Sequence, residues 1–500
     1  MTKRQASPEI VLQTTTQTTT QASTRPRRRA SEVSAEPVVE RVPRKRDARS
    51  KMREADLVVI GAGSGGVAAA RRAASHGARV ILVERDAIGG TCVNRGCVPK
   101  KMLSYGAGWA SILSTCLSHT GGKEDWRDAI VRVNAEVARL NASYKQRLNE
   151  AGVEIWHGEA QFNDRGDIVV GNEVIRAKKT LIATGARPVP LPVPGGELVT
   201  SSDDVFTWQT VPASIVVIGG GYIAVEMASI LSRYGVKVDL LVREDRLLKR
   251  FDHDIAAALA DALVAKGVRI HFRAEVTMVS QSNGAMDVCY KQENNPGRMQ
   301  TVRAQAALAA IGRKANVDGL GLEALGVKLD EHGGVRVDRQ FRSSVRAIHA
   351  IGDCMAGNIH LTPVAVAQGR WLADRLFDKR GDIADFDAVP TAVFCEPAIG
   401  AVGLTEAEAI EAAGGKADRV RTEIKRFVSL ESRFGGVPQQ SVFKLVFNAR
   451  SGRVLGAHLM DGAAPEIIQV FAVALRLGVK ASHLKTTMPL HPTVAEELFG

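Results

Sequence analysis

Cysteine is scarce in this chain: six in 500 residues, Cys92, Cys97, Cys116, Cys289, Cys354 and Cys395. That excludes a scaffold stapled by disulfides and suits a compartment that keeps thiols reduced, the cytosol first and an organelle matrix second. No apolar run approaches the roughly 20 residues of a membrane span, and the N-terminus lacks the apolar core of a secretory signal, so no membrane partner is expected. Acidic residues are the minority charge, 54 against 66 Lys and Arg, for a net +12. The excess is uneven: residues 1–54 hold thirteen Lys/Arg and six Asp/Glu, or +7, which leaves +5 for the other 446. This segment, with its LQTTTQTTTQASTRPRRRASEVS, has too few apolar residues to fold alone, so residues 1–52 are read as a disordered basic extension. Arg27, Arg28, Arg29, Arg44, Lys45 and Arg46 would suit nucleic acid or an organelle address, but a solvated tail is the plainer reading and nucleic acid is not expected as a partner. Glu9, Glu32, Glu36 and Glu40 count against a transit peptide.

What remains is 45% hydrophobic overall and long enough for two to four domains. Order is expected from about Asp56. DLVVIGAGSGG is a buried strand running into a glycine turn, followed by a helix and a second strand, RVILVER. Gly61, Gly63 and Gly66 match G-x-G-x-x-G in the strand–turn–helix setting where glycine permits the turn, the approach of a pyrophosphate, and close helix packing. The pyrophosphate would rest on the helix N-terminus. Glu84 ends the second strand, where a carboxylate accepts from ribose hydroxyls and repels a 2′-phosphate, so FAD or NAD fits and NADP does not. The pattern recurs at SIVVIGGGYIAVEMASILSRYGVKVDLLVRED with Gly219, Gly221 and Ala224, but there Arg243 stands in the acidic position, followed by Arg246, Lys249 and Arg250. A guanidinium there favours NADPH. TLIATGARP and AALAAIGRKAN are strands ending in glycine turns, and AIHAIGDC sets Asp353 at a strand end, placed for a flavin's ribityl hydroxyls. The last hundred or so residues, with SVFKLVF, SGRVLGAHL and the amphipathic PEIIQVFAVALRLG, form an antiparallel sheet with helices suited to association.

Between the two halves of this layout lies GGTCVNRGCVPKK, with Cys92 and Cys97 five positions apart. Closing so short a ring contributes only about 2 kcal/mol to folding, so redox chemistry is the better reason for the spacing. A helix N-terminus and the adjacent Lys100 and Lys101 are expected to ionise the attacking thiol. The plain alternative is a chance pair of buried thiols.

Together these motifs, over about residues 53–500 and including the C-terminal LHPTVAEE, resemble the flavin-dependent pyridine nucleotide–disulfide oxidoreductases, and among them most closely the glutathione reductases. The resemblance implies an α/β chain with two Rossmann-like nucleotide-binding domains plus a C-terminal α+β dimerisation domain. It places an FAD-binding domain at 53–185 continued by 316–386, an NADPH-binding domain at 186–315, and the dimerisation domain at 387–500 of a homodimer. Electrons would pass from NADPH to FAD, to the Cys92–Cys97 disulfide and to glutathione disulfide. Cys92 would be the interchange thiol and Cys97 the thiol facing the flavin. Lys100 would lie by the flavin's reactive nitrogen paired with Glu226, Tyr222 would cover the nicotinamide pocket, and His491, held by Glu496, would serve as the acid–base group of the partner's site. For FAD the resemblance implies Gly61, Gly63, Ser64, Gly65, Gly66, Glu84, Gly90, Thr91, Lys100, Thr184, Gly185, Asp353 and Thr362. For NADPH it implies Gly219, Gly221, Tyr222, Ile223, Glu226, Arg243, Lys249 and Gly312. Ala68, Arg71, Tyr144 and Arg370 match glutathione-contacting positions, and no metal is implied.

Lys249 departs from the second phosphate-binding arginine of many relatives and supplies a point charge without the fork. Competing acceptors are disfavoured by particular residues: no cysteine follows Cys395, as thioredoxin or mercuric reductases would need; a dihydrolipoamide dehydrogenase would carry an acid at Arg243; a trypanothione reductase would carry an acid and a tryptophan at Ala68 and Arg71. A non-catalytic flavoprotein with a nucleic-acid-binding tail is the remaining alternative, and it has no need of Cys92, Cys97, His491 and Glu496 together.

Overall fold

A computed structural model describes residues 52–117, 123–293, 295–378, 386–434, 436 and 438–499. The basic extension apart from Met52 lies outside the described residues, as does most of the stretch before the 386/387 boundary.

Leu57 to Ile60 are four successive apolar residues, each at most 4% exposed, as a strand covered on both faces requires. They belong to β1 (Arg53–Ile60), which pairs in parallel with β2 (Val80–Glu84) on one side and with Glu173–Ile182 on the other. β3 (Glu154–His157) extends the sheet beyond β2, and Ile348–Ala350 extends it beyond Glu173–Ile182. The order therefore reverses at β1, and the crevice at the strands' carboxyl ends is where such a sheet takes its ligand. Helix α1 (Ser64–Ser75) leaves β1 directly, while α2 (Gly90–Asn94), α3 (Cys97–Leu117) and α4 (Lys123–Glu150) follow β2.

A second parallel sheet, built on Ser214–Ile218, Lys237–Val242, Arg269–Phe272 and Ala306–Ala309, repeats the design with α5 (Tyr222–Arg233) and α6 (His253–Ala265). Arg313–Ala315 then pairs antiparallel with Ala186–Pro188 and returns the chain to the first sheet. There α7 (Thr362–Phe377) lies along α1, so closely that a Cβ on Gly369 would stand 2.5 Å from the Gly65 carbonyl oxygen. The third sheet, Thr391–Val393, Ile399–Gly403, Val454–Met460, Gln440–Asn448 and Val420–Val428 in sequence of pairing, is wholly antiparallel.

Two features lock these units together. Leu103 and Ala107 of α3 share a core with Ala224, Val225 and Ala228 of α5 and with Val393, Ile399 and Val442 of the third sheet, and each large side chain fully buried this way is worth about 1.5–3 kcal/mol. Lys444, 1% exposed, extends from the third sheet to Asp252 (3.0 Å) and Asp254 (2.6 Å) at the start of α6 and to Glu406 (2.7 Å) at the start of α8 (Glu406–Ala412). A buried ammonium is tolerable only with such partners. Among the described residues no helix is long and apolar enough to cross a membrane.

Candidate active site

The chain turns from β2 into α2 through Gly89 and Gly90, both with positive φ (112° and 62°), and a Cβ on Gly90 would fall 2.6 Å from the Gly63 Cα. This contact sets Gly90 and Thr91 against the first glycine turn and brings half-buried Cys92, on α2, to exposed Cys97, the first residue of α3. Both are free thiols. The Cys92 thiol interacts with the Cys97 thiol and with the hydroxyls of Thr362 and Ser64. The Cys97 sulfur lies 3.7 Å from Thr362 Oγ1 at the start of α7.

The two thiols are polarised in opposite directions. Hydrogen bonding from Cys92 lowers Cys97 to about 6, with help from Thr362 and the Lys100 charge, against burial and Glu226. The same bond, together with burial, pushes Cys92 well above the ordinary thiol range. This corrects the expectation that the helix N-terminus and the lysines ionise the attacking thiol. The helix N-terminus belongs to Cys97, and for Cys92 the bond to Cys97 together with burial favours the protonated form.

The lysines also differ. Lys100, 8% exposed, donates to Glu226 of α5, whose Oε1 accepts a second bond from the Phe394 N–H at 2.8 Å. Lys101 shares the Phe394 ring with Lys100, at 4.1 Å against 4.5 Å, and also sits over Tyr105 (4.7 Å). Burial and the Lys100 charge both lower its pKa. One bond from α3 to α5 thus joins the dithiol helix to the second nucleotide unit.

At the first crevice, Glu84 accepts from the N–H of Ala62 (2.7 Å) and of Asp86 (2.9 Å), which fixes its carboxylate beside a cavity of about 60 Å³ lined by Gly61, Gly158, Thr184 and Asn316. Thr184 Oγ1 is buried without a partner, next to Gly185, and such an atom calls for a ligand. No side chain caps α1 at Gly63, so the amides of Ser64, Gly65 and Gly66 open the helix toward the crevice. A Cβ on Gly66 would meet the Gly61 carbonyl oxygen at 2.0 Å, so the turn admits only glycine there. Burial raises the Asp353 carboxyl. Its turn is held by Gln368, 3% exposed, which accepts from the Gly352 N–H (2.9 Å) and donates to Asn358 (2.9 Å). The Glu84 carboxylate, an open helix end, the Thr184 hydroxyl and the Asp353 carboxyl form a donor set that fits FAD.

The second crevice fits a second dinucleotide. No side chain caps α5 at Gly221, and a Cβ there would meet nothing within 4 Å. Gly219 has φ 133°, and half-buried Ile223 follows Tyr222 into the helix. Tyr222, 42% exposed, shares with Asp353 and Arg313 the wall of a cavity of about 660 Å³; Arg313 follows Gly312 and pairs with Asp203 at 3.5 Å. Arg243 and Lys249 are exposed at the end of the second sheet and both pair with Glu244.

The residues expected to meet glutathione lie on three helices around α1: Ala68 and Arg71 on α1, Tyr144 on α4 and Arg370 on α7, with both arginines exposed and Tyr144 packed against the core. Arg72 and His76 of α1 hold Asp374 of α7, His76 at 2.7 Å, which ties the two arginine-bearing helices together. His491 is 80% exposed, with Nδ1 3.0 Å from Glu496 Oε2. No hydrogen bond joins it to either cysteine of its own chain.

The sequence profile of pyridine nucleotide-disulphide oxidoreductases matches residues 55–369, and that of their dimerisation domain matches 389–499. A glutathione reductase from Burkholderia cepacia is 39% identical over 446 residues, spanning 88% of this chain and 97% of the relative. Another, from Nostoc sp. (strain PCC 7120), is 37% identical over 456 residues, spanning 88% and 98%.

The chain belongs to the pyridine nucleotide-disulphide oxidoreductase family.

The geometry brings forward four residues that the sequence does not single out. Gln368 and Asn358 clasp the Asp353 turn, yet a glutamine within an amphipathic helix carries no signal of burial. Asp203, before the second sheet, faces Arg313 more than a hundred positions later. Glu244 stands beside Arg243 in sequence, but only the fold brings Lys249 back to it.

Proposed function

We propose that this protein is an NADPH-dependent glutathione-disulfide reductase acting as a homodimer. The observation that carries the reading is the oppositely polarised Cys92–Cys97 pair, tied through Lys100–Glu226 to a second nucleotide crevice marked by exposed cations. Bound FAD and NADPH supply the electron pair that reduces the Cys92–Cys97 disulfide. Gly63, Glu84, Thr184 and Asp353 would hold the flavin dinucleotide, and Gly221, Arg243 and Lys249 the NADPH.

The chain's own groups account for the rest. In the reduced pair Cys97 holds the negative charge and Cys92 the proton, so Cys92 attacks only once a base takes that proton. His491 of the partner subunit, oriented by Glu496, is the candidate. The resulting Cys92 thiolate forms a mixed disulfide with one half of glutathione disulfide and expels the other as a thiolate, which His491 of the partner subunit protonates. The Cys97 thiolate then attacks the Cys92 sulfur, releases the second glutathione and restores the disulfide. Two electrons thus leave on two glutathione thiols, one carrying the Cys92 proton and the other a proton taken from solvent. Arg71 and Arg370 suit the carboxylates of an anionic peptide disulfide.

Initial rates of NADPH oxidation with glutathione disulfide, trypanothione disulfide, lipoamide and thioredoxin at equal concentration test the reading. Glutathione disulfide should be fastest by a wide margin; a faster competitor would leave the family intact and remove the substrate.

A further inference from the structure

Arg243 and Lys249, the cations assigned above to the 2′-phosphate of NADPH, both hold one carboxylate. Arg243 Nη2 lies 3.5 Å from Glu244 Oε1, and Lys249 Nζ lies 3.1 Å from Glu244 Oε2. Two cations bridged by a single carboxylate are close enough to bridge a single phosphate, so the carboxylate and a 2′-phosphate would compete for the same place.

The arrangement is held from the backbone outward. The Glu244 carbonyl accepts from the Arg273 N–H at 3.0 Å, which pins the main chain carrying the carboxylate. The turn that brings Lys249 back is secured by Arg246, whose Nη2 donates to the Lys249 carbonyl at 3.0 Å. Leu248, just before Lys249, takes a positive φ of 49°, and its N–H donates to Gly220 O in the glycine turn at 2.8 Å. The cation pair is therefore fixed relative to the crevice that would hold the cofactor's pyrophosphate. Hydrogen bonding and charge from Lys249, then Arg243, keep the Glu244 carboxyl below its usual range, so it is ionised at neutral pH.

We propose that Glu244 is an internal competitor for the 2′-phosphate pocket, occupying the Arg243–Lys249 pair until the cofactor displaces it and so limiting the preference for NADPH over NADH. The proposal rests on the assignment of NADPH to this crevice. The cost falls on one ligand only: NADH has no 2′-phosphate and leaves the three-residue cluster intact, whereas NADPH must part both cations from Glu244 and then sit beside the displaced, still tethered carboxylate. Because all three side chains are partly exposed, each broken pair is a surface ion pair, and the penalty should be about two- to fivefold in affinity. It should shrink as salt screens it.

The test compares wild-type holoenzyme with E244Q, which keeps the side chain's shape and removes its charge. Calorimetric titration with adenosine 2′,5′-bisphosphate and with adenosine 5′-monophosphate reads the pocket without requiring turnover, and KM values for NADPH and NADH follow. In E244Q the Kd for the bisphosphate and the KM for NADPH should each fall about two- to fivefold, more at low salt than at high, while the monophosphate and NADH change by less. E244K should tighten the bisphosphate further. Bisphosphate binding that is unchanged or weaker in E244Q, or a monophosphate that gains equally, would overturn the proposal. If wild type itself binds the bisphosphate no more tightly than the monophosphate, the NADPH assignment fails as well, whatever disulfide the enzyme reduces.

Discussion

Replacing Cys92 by alanine removes the hydrogen bond that contributes most to the depressed pKa of Cys97, and the consequence can be worked through. In the reduced wild type Cys97 titrates at about 6 instead of the ordinary 9.0, so at pH 7 about 90% of it is thiolate; restored to the ordinary value, about 1% would be. Reactivity falls by less than that ratio, because a thiolate of higher pKa is the better nucleophile. With a Brønsted slope of about 0.4–0.5, three units of pKa return roughly a factor of 20, leaving alkylation at pH 7 about four- to fivefold slower in the full limit. Thr362 and Lys100 still favour the anion, so the variant should fall short of that limit. The sign reverses at high pH: above pH 9 Cys97 is largely ionised in both proteins and the variant's Cys97 should alkylate faster than wild type. The assay is iodoacetamide labelling of the reduced protein across pH, with Cys97 followed by peptide mass. Cys92→Ser is the control, since its hydroxyl can still donate, and its midpoint should lie between the other two. A Cys92→Ala midpoint that stays near 6 would refute the argument and give the depression to Lys100 and the helix end.

Three further outcomes are expected. Lys444→Met leaves buried Asp252 and the partly exposed Asp254 and Glu406 facing one another without a cation, and stranding the buried Asp252 carboxylate should cost about 3–5 kcal/mol in urea unfolding; a loss under about 1 kcal/mol would mean that Asp254 and Glu406 part and let water reach Asp252. Heterodimers of a Cys92→Ser subunit with a His491→Ala subunit should recover one working site, because each site would take His491 from the opposite chain; verified heterodimers without activity would place the acid–base group within one chain. Gln368→Ala removes the acceptor of the Gly352 N–H and the donor to Asn358, and flavin should be lost more readily on dilution, by roughly tenfold for about 1.5 kcal/mol of lost hydrogen bonding; unchanged retention would make the clasp irrelevant to Asp353.

These expectations draw on features that differ in how far sequence exposes them. The glycine turns at Gly61–Gly66 and Gly219–Ala224 are legible because their requirement is local: a tight turn, a close approach and a packed helix within six residues. The antiparallel sheet near the C-terminus is only partly legible: SVFKLVF reads as an apolar strand, but every residue from Ser441 to Phe447 is buried, Lys444 included, where alternation would have left one face exposed. The dithiol spacing pointed to Cys92 and Cys97, which the fold brings together, but not to which thiol is polarised toward the anion, since that depends on Thr362 from a helix some 265 positions away and on the start of α3 at Cys97. Lys100 and Lys101 are adjacent in sequence and share the Phe394 ring, yet only Lys100 reaches the Glu226 carboxylate, a distinction that depends on where α5 lies. Glu244, Gln368 and Lys444 escaped notice for one reason: each acts through partners that only the tertiary fold supplies.

The central claim is that Cys92 is the sulfur that forms the mixed disulfide with glutathione and Cys97 the sulfur that resolves it. Incubating the Cys97→Ser protein, reduced and freed of reductant, with glutathione disulfide and mapping the adduct by mass measures this most directly. A single glutathione on Cys92, trapped because no second thiol can release it, is the predicted result, with no adduct on Cys97 in the Cys92→Ser protein. Glutathione on Cys97 of Cys92→Ser at a comparable rate, with Cys92 unmodified in Cys97→Ser, would contradict the account.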